Sequence, residues 1–208
     1  MFSPEDSRAR IIGAALERIA RDGAAGSSVR AIAADADVSA GLILHHFGSK
    51  DGLLEACDAH VLRTVRDLKT DAMAQGPGLD LAALVAGSAR DAAPMVRYLA
   101  RRLVEGGPAV DGLVDTMVAD AHAYVRLGIE QGVICPSAHE EERTVLLTLW
   151  SLGALTLHRH AERLLGYSML DGPDGAVRWS RLGAEVLVAG LLTQEVAASA
   201  TSAPEETA

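Results

Sequence analysis

The sequence predicts an all-α protein of two domains: an N-terminal three-helix helix-turn-helix domain and a larger C-terminal helical domain. Three observations predict it. Nearly half of the 208 residues are apolar, yet only 3% are aromatic, and the dominance of Ala, Leu and Val favours helices over strands. Apolar residues recur at helical spacing, and no segment alternates as a half-buried strand does. Between Ser27 and Lys50, two short helical patterns flank a tight turn. The length suffices for one or two small domains with a true core.

The elements follow in order. Residues 1–6 read as a loose arm. Helix one is expected over 7–22, with Ile12, Leu16 and Ile19 on one face and Asp22-Gly23 as its stop. Ser28 caps helix two, whose Val29, Ile32 and Ala33 face inward. Asp37-Val38-Ser39 makes the turn. Ser39 caps helix three, which runs through Gly41, Ile43 and His46 to Phe47, and Val38, Ile43 and Phe47 close the space between the two helices. Helix four starts at Ser49 and runs to about 73, with Leu53, Leu54, Cys57, Val61, Val65 and Leu68 inward. Gln75-Gly76-Pro77-Gly78 breaks the chain. Beyond it, helix five is expected over 79–91. Pro94 opens helix six, ended by Gly106-Gly107-Pro108. Helix seven covers 110–132. Ser137 caps a long helix eight to 165. A loop over 166–175 rich in Gly, Asp and Pro precedes helix nine over 176–197. The domains are then 1–48, a connecting helix 49–73, a second domain 74–198 and a disordered tail 199–208.

Charge and motifs narrow the function. The net charge is −9, but residues 1–69 carry nine Lys+Arg against ten Asp+Glu, and the remainder carries ten against eighteen. The acidity therefore lies in the second part. The first part is balanced, so nucleic-acid binding rests on a few placed cations and helix N-termini rather than a broad basic surface. No apolar run is long enough to span a membrane. Arg8, Arg10, Glu17, Arg18 and Arg21 argue against a signal peptide, and Cys57 and Cys135 have no spacing motif, so a cytoplasmic protein with reduced thiols is expected. No catalytic residue, metal or cofactor is expected: His158 and His160 do not share a helical face, and no Glu-x-x-His, Cys-x-x-Cys, P-loop or nucleotide fingerprint occurs.

A helix-turn-helix lays its second helix in the DNA major groove. Ser28 sits at a helix N-terminus, where amides and dipole favour a phosphate, and Arg30 follows two residues on. Ser39, Ala40 and Gly41 open the second helix with small side chains that allow close approach. Leu42, Leu44 and His45 face the groove, and His46 points to a phosphate. Lys50, in the first turn of helix four, opposes the helix dipole unless an anion sits there. The plain alternative is that the serines are only caps and Lys50 only solvated.

These residues resemble the N-terminal domain of the TetR family of regulators. Arg10-Ile11-Ile12, Ala14-Ala15-Leu16, Ser28-Val29-Arg30, Ile32-Ala33, Val38-Ser39-Ala40-Gly41 and His45-His46-Phe47-Gly48-Ser49-Lys50 carry the likeness, over about the first third of the chain. Two positions depart from the family pattern. Asp37 stands where the turn usually has Gly, and Leu44 stands where an aromatic, often Tyr, commonly meets a phosphate. Asp tolerates a left-handed backbone. Leu44 offers only apolar contact, for example to a thymine methyl.

The resemblance implies a homodimer on double-stranded DNA with a palindromic operator, a small-molecule effector and no membrane. It implies an inducer pocket in the second domain, for which Met95, Tyr98, Leu99, Met117, His122, Trp150 and His158 are candidates, although such residues at helical spacing are more often plain core. It implies an isologous helical interface, for which Leu149, Leu152, Thr156, Gly183, Leu187 and Gly190 are candidates, with intrachain packing as the alternative. The expected function is a ligand-responsive repressor released from DNA by a small apolar or amphipathic molecule. The alternative is a helical small-molecule-binding protein that has lost sequence-specific DNA binding; Leu44 and the balanced charge are its support.

Overall fold

Residues 4–170 and 172–189 are described in a computed structural model, and among them every regular element is helical. The order is α1 (Pro4–Gly26), α2 (Val29–Asp35), α3 (Ala40–Phe47), α4 (Lys50–Ala74), a 3-10 turn (Gly76–Gly78), α5 (Leu81–Glu105), α6 (Pro108–Glu130), α7 (Glu140–Thr156), α8 (His158–Leu165) and α9 (Pro173–Ala189). The 199–208 tail lies outside the described residues.

The first fifty residues fold as their local chemistry dictates. Ser28 Oγ accepts from the Ala31 N–H at 3.2 Å, Ser39 Oγ from Leu42 at 3.1 Å and Ser49 Oγ from Gly52 at 3.0 Å, so each serine satisfies one orphan amide of the helix it opens. Inside α1 the backbone leaves helical geometry at Gly23, φ 77°, where the sequence placed its stop. The left-handed turn residue is Asp37, φ 51°.

Four expectations about the second domain are corrected. Helices five and six are one helix, α5, with Pro94 inside it. Proline removes one helical hydrogen bond and strains the preceding turn, but α5 is packed along its length by α1, α7 and α9, and that burial outweighs the local defect. The expected long helix eight is two, because the chain bends at Leu157. Thr144, Thr148, Ser151 and Thr156 all bond back to carbonyls four residues earlier, and His158 Nδ1 lies 2.7 Å from the Leu155 carbonyl. Such back-bonding competes with the helical ladder and bends helices. Ser137 is not the cap of α7: its Oγ accepts from the His139 N–H at 3.2 Å, and the helix starts at Glu140. α9 starts at Pro173 rather than 176, with proline preset for its first turn.

α5 organises the molecule. Its consecutive residues Tyr98, Leu99 and Ala100 are buried in three different clusters. Tyr98 joins Ile11, Ile19, Ile32, Ile43 and Leu53 in the core of the first domain. Leu99 meets Leu113 and Leu152. Ala100 meets Met169 and Leu170. Successive helical residues point about 100° apart, so one turn of α5 reaches all three cores.

Candidate nucleic-acid interface

α1 holds the helix-turn-helix at both ends of α2. Arg18 forks onto Asp35, Nε to Oδ2 at 2.5 Å and Nη2 to Oδ1 at 2.8 Å, tying the last residue of α2 to α1. The hydrogen bond from Arg18 holds the Asp35 carboxyl below its usual range. Arg10 Nη2 donates to the Ala36 carbonyl at 2.6 Å and lies 3.4 Å from that of Asp37, so a guanidinium braces the turn itself. Sequence reasoning assigned neither arginine to bracing the turn. Their partners lie 17 and 26 residues away, and no local pattern marks them.

With the turn fixed, α3 presents one face inward and one outward. Ile43 is fully buried, Phe47 packs against the same core, and Arg8 sits over the Phe47 ring at 5.1 Å. Gly41, Leu44 and His45 are exposed, and Ala40, Leu42 and His46 are half-buried. Leu44 is 47% exposed, so the position that departs from the family pattern is an apolar group on the open face. Ser28, Arg30 and Ser39 are exposed at the ends of α2 and α3, and Lys50 is half-buried at the start of α4. The serine oxygens accept from backbone amides, which leaves each hydroxyl proton to donate to an anion. The surface thus combines helix N-termini, two cations and a small-residue helix start.

Behind this surface lies a polar junction that sequence reasoning missed. Asp58 of α4 accepts from the Tyr98 hydroxyl at 2.6 Å and from Arg102 Nη2 at 3.0 Å, both on α5. The Arg102 and Asp58 side chains are only 8% and 14% exposed. Burial, reinforced by Asp58, raises the Tyr98 pKa, so its hydroxyl stays a donor. Burial next to Asp58 likewise pushes the Cys57 thiol up to about 12, which makes it inert. For Arg102, burial pulls the pKa down, but the Asp58 hydrogen bond and charge raise it overall. Glu105, one turn along α5, accepts from the Ala24 N–H at 2.9 Å and pairs with Arg101 at 3.3 Å. A Cβ at Gly23 would run into both of those side chains, so the α1 break and this contact need each other. α5 therefore grips α1 and α4 together.

The expected ligand residues do not form one site. Tyr98 and Met95 belong to the first-domain core. Leu99 and Met117 meet in the second core, with Leu103 and Leu113. His122 is half-buried on α6, and His158 is engaged at the α7–α8 bend. Trp150 is exposed and lines a groove of about 340 Å³ between α7 and α9, with Trp179, Leu182 and Leu187. Of the expected dimer residues, Leu149, Thr156 and Leu187 are exposed and Gly183 faces open space. Leu152 is corrected: it is 5% exposed and buried within its own chain, against Leu99 and Leu113. Tyr98 is corrected in the same way, since its ring and hydroxyl are both taken up within the chain. Gly190 lies outside the described residues.

Comparison with known proteins agrees with this geometry. Residues 11–57 match the family described as bacterial regulatory proteins, tetR family, and residues 91–172 match the Tetracyclin repressor-like, C-terminal domain. The HTH-type transcriptional regulatory protein RaaS of Mycobacterium tuberculosis is 36% identical over 152 residues, 73% of this chain and 71% of RaaS. A crystal structure of a gamma-butyrolactone receptor is similar at 26% identity and TM-score 0.55, over 74% of this chain and 80% of that one. The TetR family regulator PfmR of Thermus thermophilus shares the fold, at 21% identity and TM-score 0.56 over 88% of this chain and all of its own.

Proposed function

Since the chain belongs to the TetR family of transcriptional regulators, we propose that it is a repressor that binds a palindromic operator as a homodimer and leaves it when a small apolar or amphipathic molecule binds the second domain. The observation that carries this reading is the braced helix-turn-helix, with α3 open on its outer face and α5 rooted in the cores of both domains. Residues 1–48 are the reader, α4 the connector and 74–198 the regulatory and dimerisation domain of a cytoplasmic protein.

Each group has a role. Ser28, Ser39 and Lys50 hold phosphates and fix the docking of α3, while Arg30, Gly41, Leu42, Leu44 and His45 face bases or the adjoining backbone. Ala40 lets the backbone approach, and His46 lies at the phosphate edge. Two such helices about 34 Å apart read the two halves of a palindrome. The effector enters the apolar interior where Leu99, Leu103 and Met117 meet; Met side chains repack at low cost. The similar gamma-butyrolactone receptor supports a small organic effector. Displacing α5 there moves Tyr98 and Arg102, and through Asp58 and Glu105 it moves α4 and α1. A tenfold loss of operator affinity needs a coupling of about 1.4 kcal/mol, which the effector supplies only by binding the two arrangements unequally.

Selection from a random double-stranded DNA pool by the purified protein tests the reading. The expected result is one enriched palindrome that binds two chains per duplex. No enrichment, with the protein alone or with cell extract added, would sink it and leave the DNA-silent binding protein.

A further inference from the structure

The way α4 and α6 lie together brings two unpartnered polar side chains, Lys69 and Tyr124, to one level. Leu62 of α4 shares the second core with Leu113, Val114 and Met117 of α6. Farther along, a Cβ at Gly128 of α6 would fall 2.6 Å from the Met73 Sδ of α4. The two helices therefore run the same way and in step: eleven residues separate Leu62 from Met73, and eleven separate Met117 from Gly128. Lys69 is seven residues past Leu62, and Tyr124 is seven past Met117. Seven residues bring a helix back to nearly the same face. Lys69 and Tyr124 thus stand level with each other on the facing sides of α4 and α6. Leu62 and Met117 form the apolar layer on one side of them, and Met73 and Gly128 the close contact on the other. Neither hydrogen-bonds or ion-pairs with another described residue. Lys69 is exposed and Tyr124 half-buried. Surrounding protein nevertheless pulls the Lys69 ammonium below its ordinary pKa, with no carboxylate acting on it. A lysine open on one side and hemmed in by protein lines a cleft. Its ammonium lacks both full hydration and a counter-charge, and an anion supplied from outside restores the second.

We infer that Lys69 and Tyr124 hold the carboxylate of an amphipathic effector whose apolar body reaches the core around Leu99, Leu103 and Met117. This deepens the effector reading above and rests on it. One lysine balances one negative charge, and its N–H groups meet one carboxylate oxygen while the Tyr124 hydroxyl donates to the other. Burial, with Asp120 as the lesser cause, raises the Tyr124 pKa and keeps that hydroxyl a donor. A phosphate monoester, at about −1.5 to −2, would leave charge unbalanced in the cleft. The spacing also sets the size of the ligand. Seven residues of helix rise about 10 Å, so about 10 Å of apolar body separates the charged head from the Met117 layer. A neutral molecule of the same length would leave Lys69 without its counter-charge.

Calorimetric titration of the full chain with decanoate and with decanol, equal in chain length and unequal in charge, tests this. The parent should bind decanoate at least about tenfold more tightly than decanol. Lys69→Met, similar in length but uncharged, should keep the circular dichroism and melting temperature of the parent, bind decanol as the parent does, and lose the preference for decanoate. Tyr124→Phe should weaken decanoate binding about tenfold by removing one hydrogen bond to a charged acceptor. A second readout needs no variant. Lys50 and Lys69 are the only lysines of the chain, so acetylation by acetic anhydride, followed by mass spectrometry, reports on each amine separately. Decanoate should slow acetylation of Lys69 and leave Lys50 unchanged, which a merely structural lysine would not show. Decanoate and decanol bound alike by the parent and by Lys69→Met, with no protection of Lys69, would overturn the carboxylate site and leave an apolar effector standing. No binding of either compound, again without protection of Lys69, would also overturn it, while the operator selection separately decides the DNA-binding reading.

Discussion

Replacing Asp58 with Leu should lower the unfolding free energy by about 3 kcal/mol, among the largest effects expected of any single polar substitution in this chain. Arg102 would stay buried with only the looser contact to Glu105 at 3.6 Å, and the Tyr98 hydroxyl would lose its acceptor. An unpaired buried guanidinium is far more costly than the intact pair is stabilising, because desolvation remains when attraction is gone. For a chain of this size the melting temperature should fall by about 6–12 °C. Urea unfolding of the single variant, of Arg102→Met, and of the two combined closes a double-mutant cycle. The combined variant should recover most of the loss, since no charge is left stranded. A single-variant loss below about 1 kcal/mol would mean that the junction is solvated and holds nothing together. The same cycle bears on regulation, because Asp58, Tyr98 and Arg102 are where α5 meets the connector helix.

Gly52→Ala should weaken operator binding by about a hundredfold while leaving self-association unchanged. Gly52 is the third residue of α4, and a Cβ there would overlap the Phe47 carbonyl at the end of α3. That atom is backbone, so the overlap is relieved only by moving α3 relative to α4. Overpacking of this kind costs about 1–3 kcal/mol of stability. The functional effect is larger, since a shifted α3 loses about two well-made base contacts worth roughly 1–3 kcal/mol each. Anisotropy titration of the selected duplex measures the affinity, and sedimentation checks that the second domain is intact. Affinity within threefold of the parent would show that the α3–α4 turn is not what aims the reading helix.

The first domain was legible because its information is local. A serine three residues before the amide it caps, a left-handed Asp37, and apolar residues at one-turn spacing all act within a few positions. The second domain was less legible because packing overrode local preference there. Pro94 reads as a helix start, yet three neighbouring helices hold α5 continuous through it. Tyr98 and Leu152 read as a ligand wall and an interface residue, since periodicity identifies a face but not what that face meets. The junction was invisible for a related reason. Asp58 finds its partners 40 and 44 residues away, and Arg18 finds Asp35 across 17. No spacing rule links such pairs until the helices are placed.

The most direct test of DNA reading by α3 and its flanks is the salt dependence of binding to the selected palindrome, measured by anisotropy for the parent and for Lys50→Ala. The expected result is a steep fall of affinity with salt for the parent. The Lys50→Ala slope should be shallower by about two units per dimer, one lost phosphate contact in each copy. Equal slopes for the two proteins, with equal affinity for the palindrome and a scrambled duplex, would contradict it.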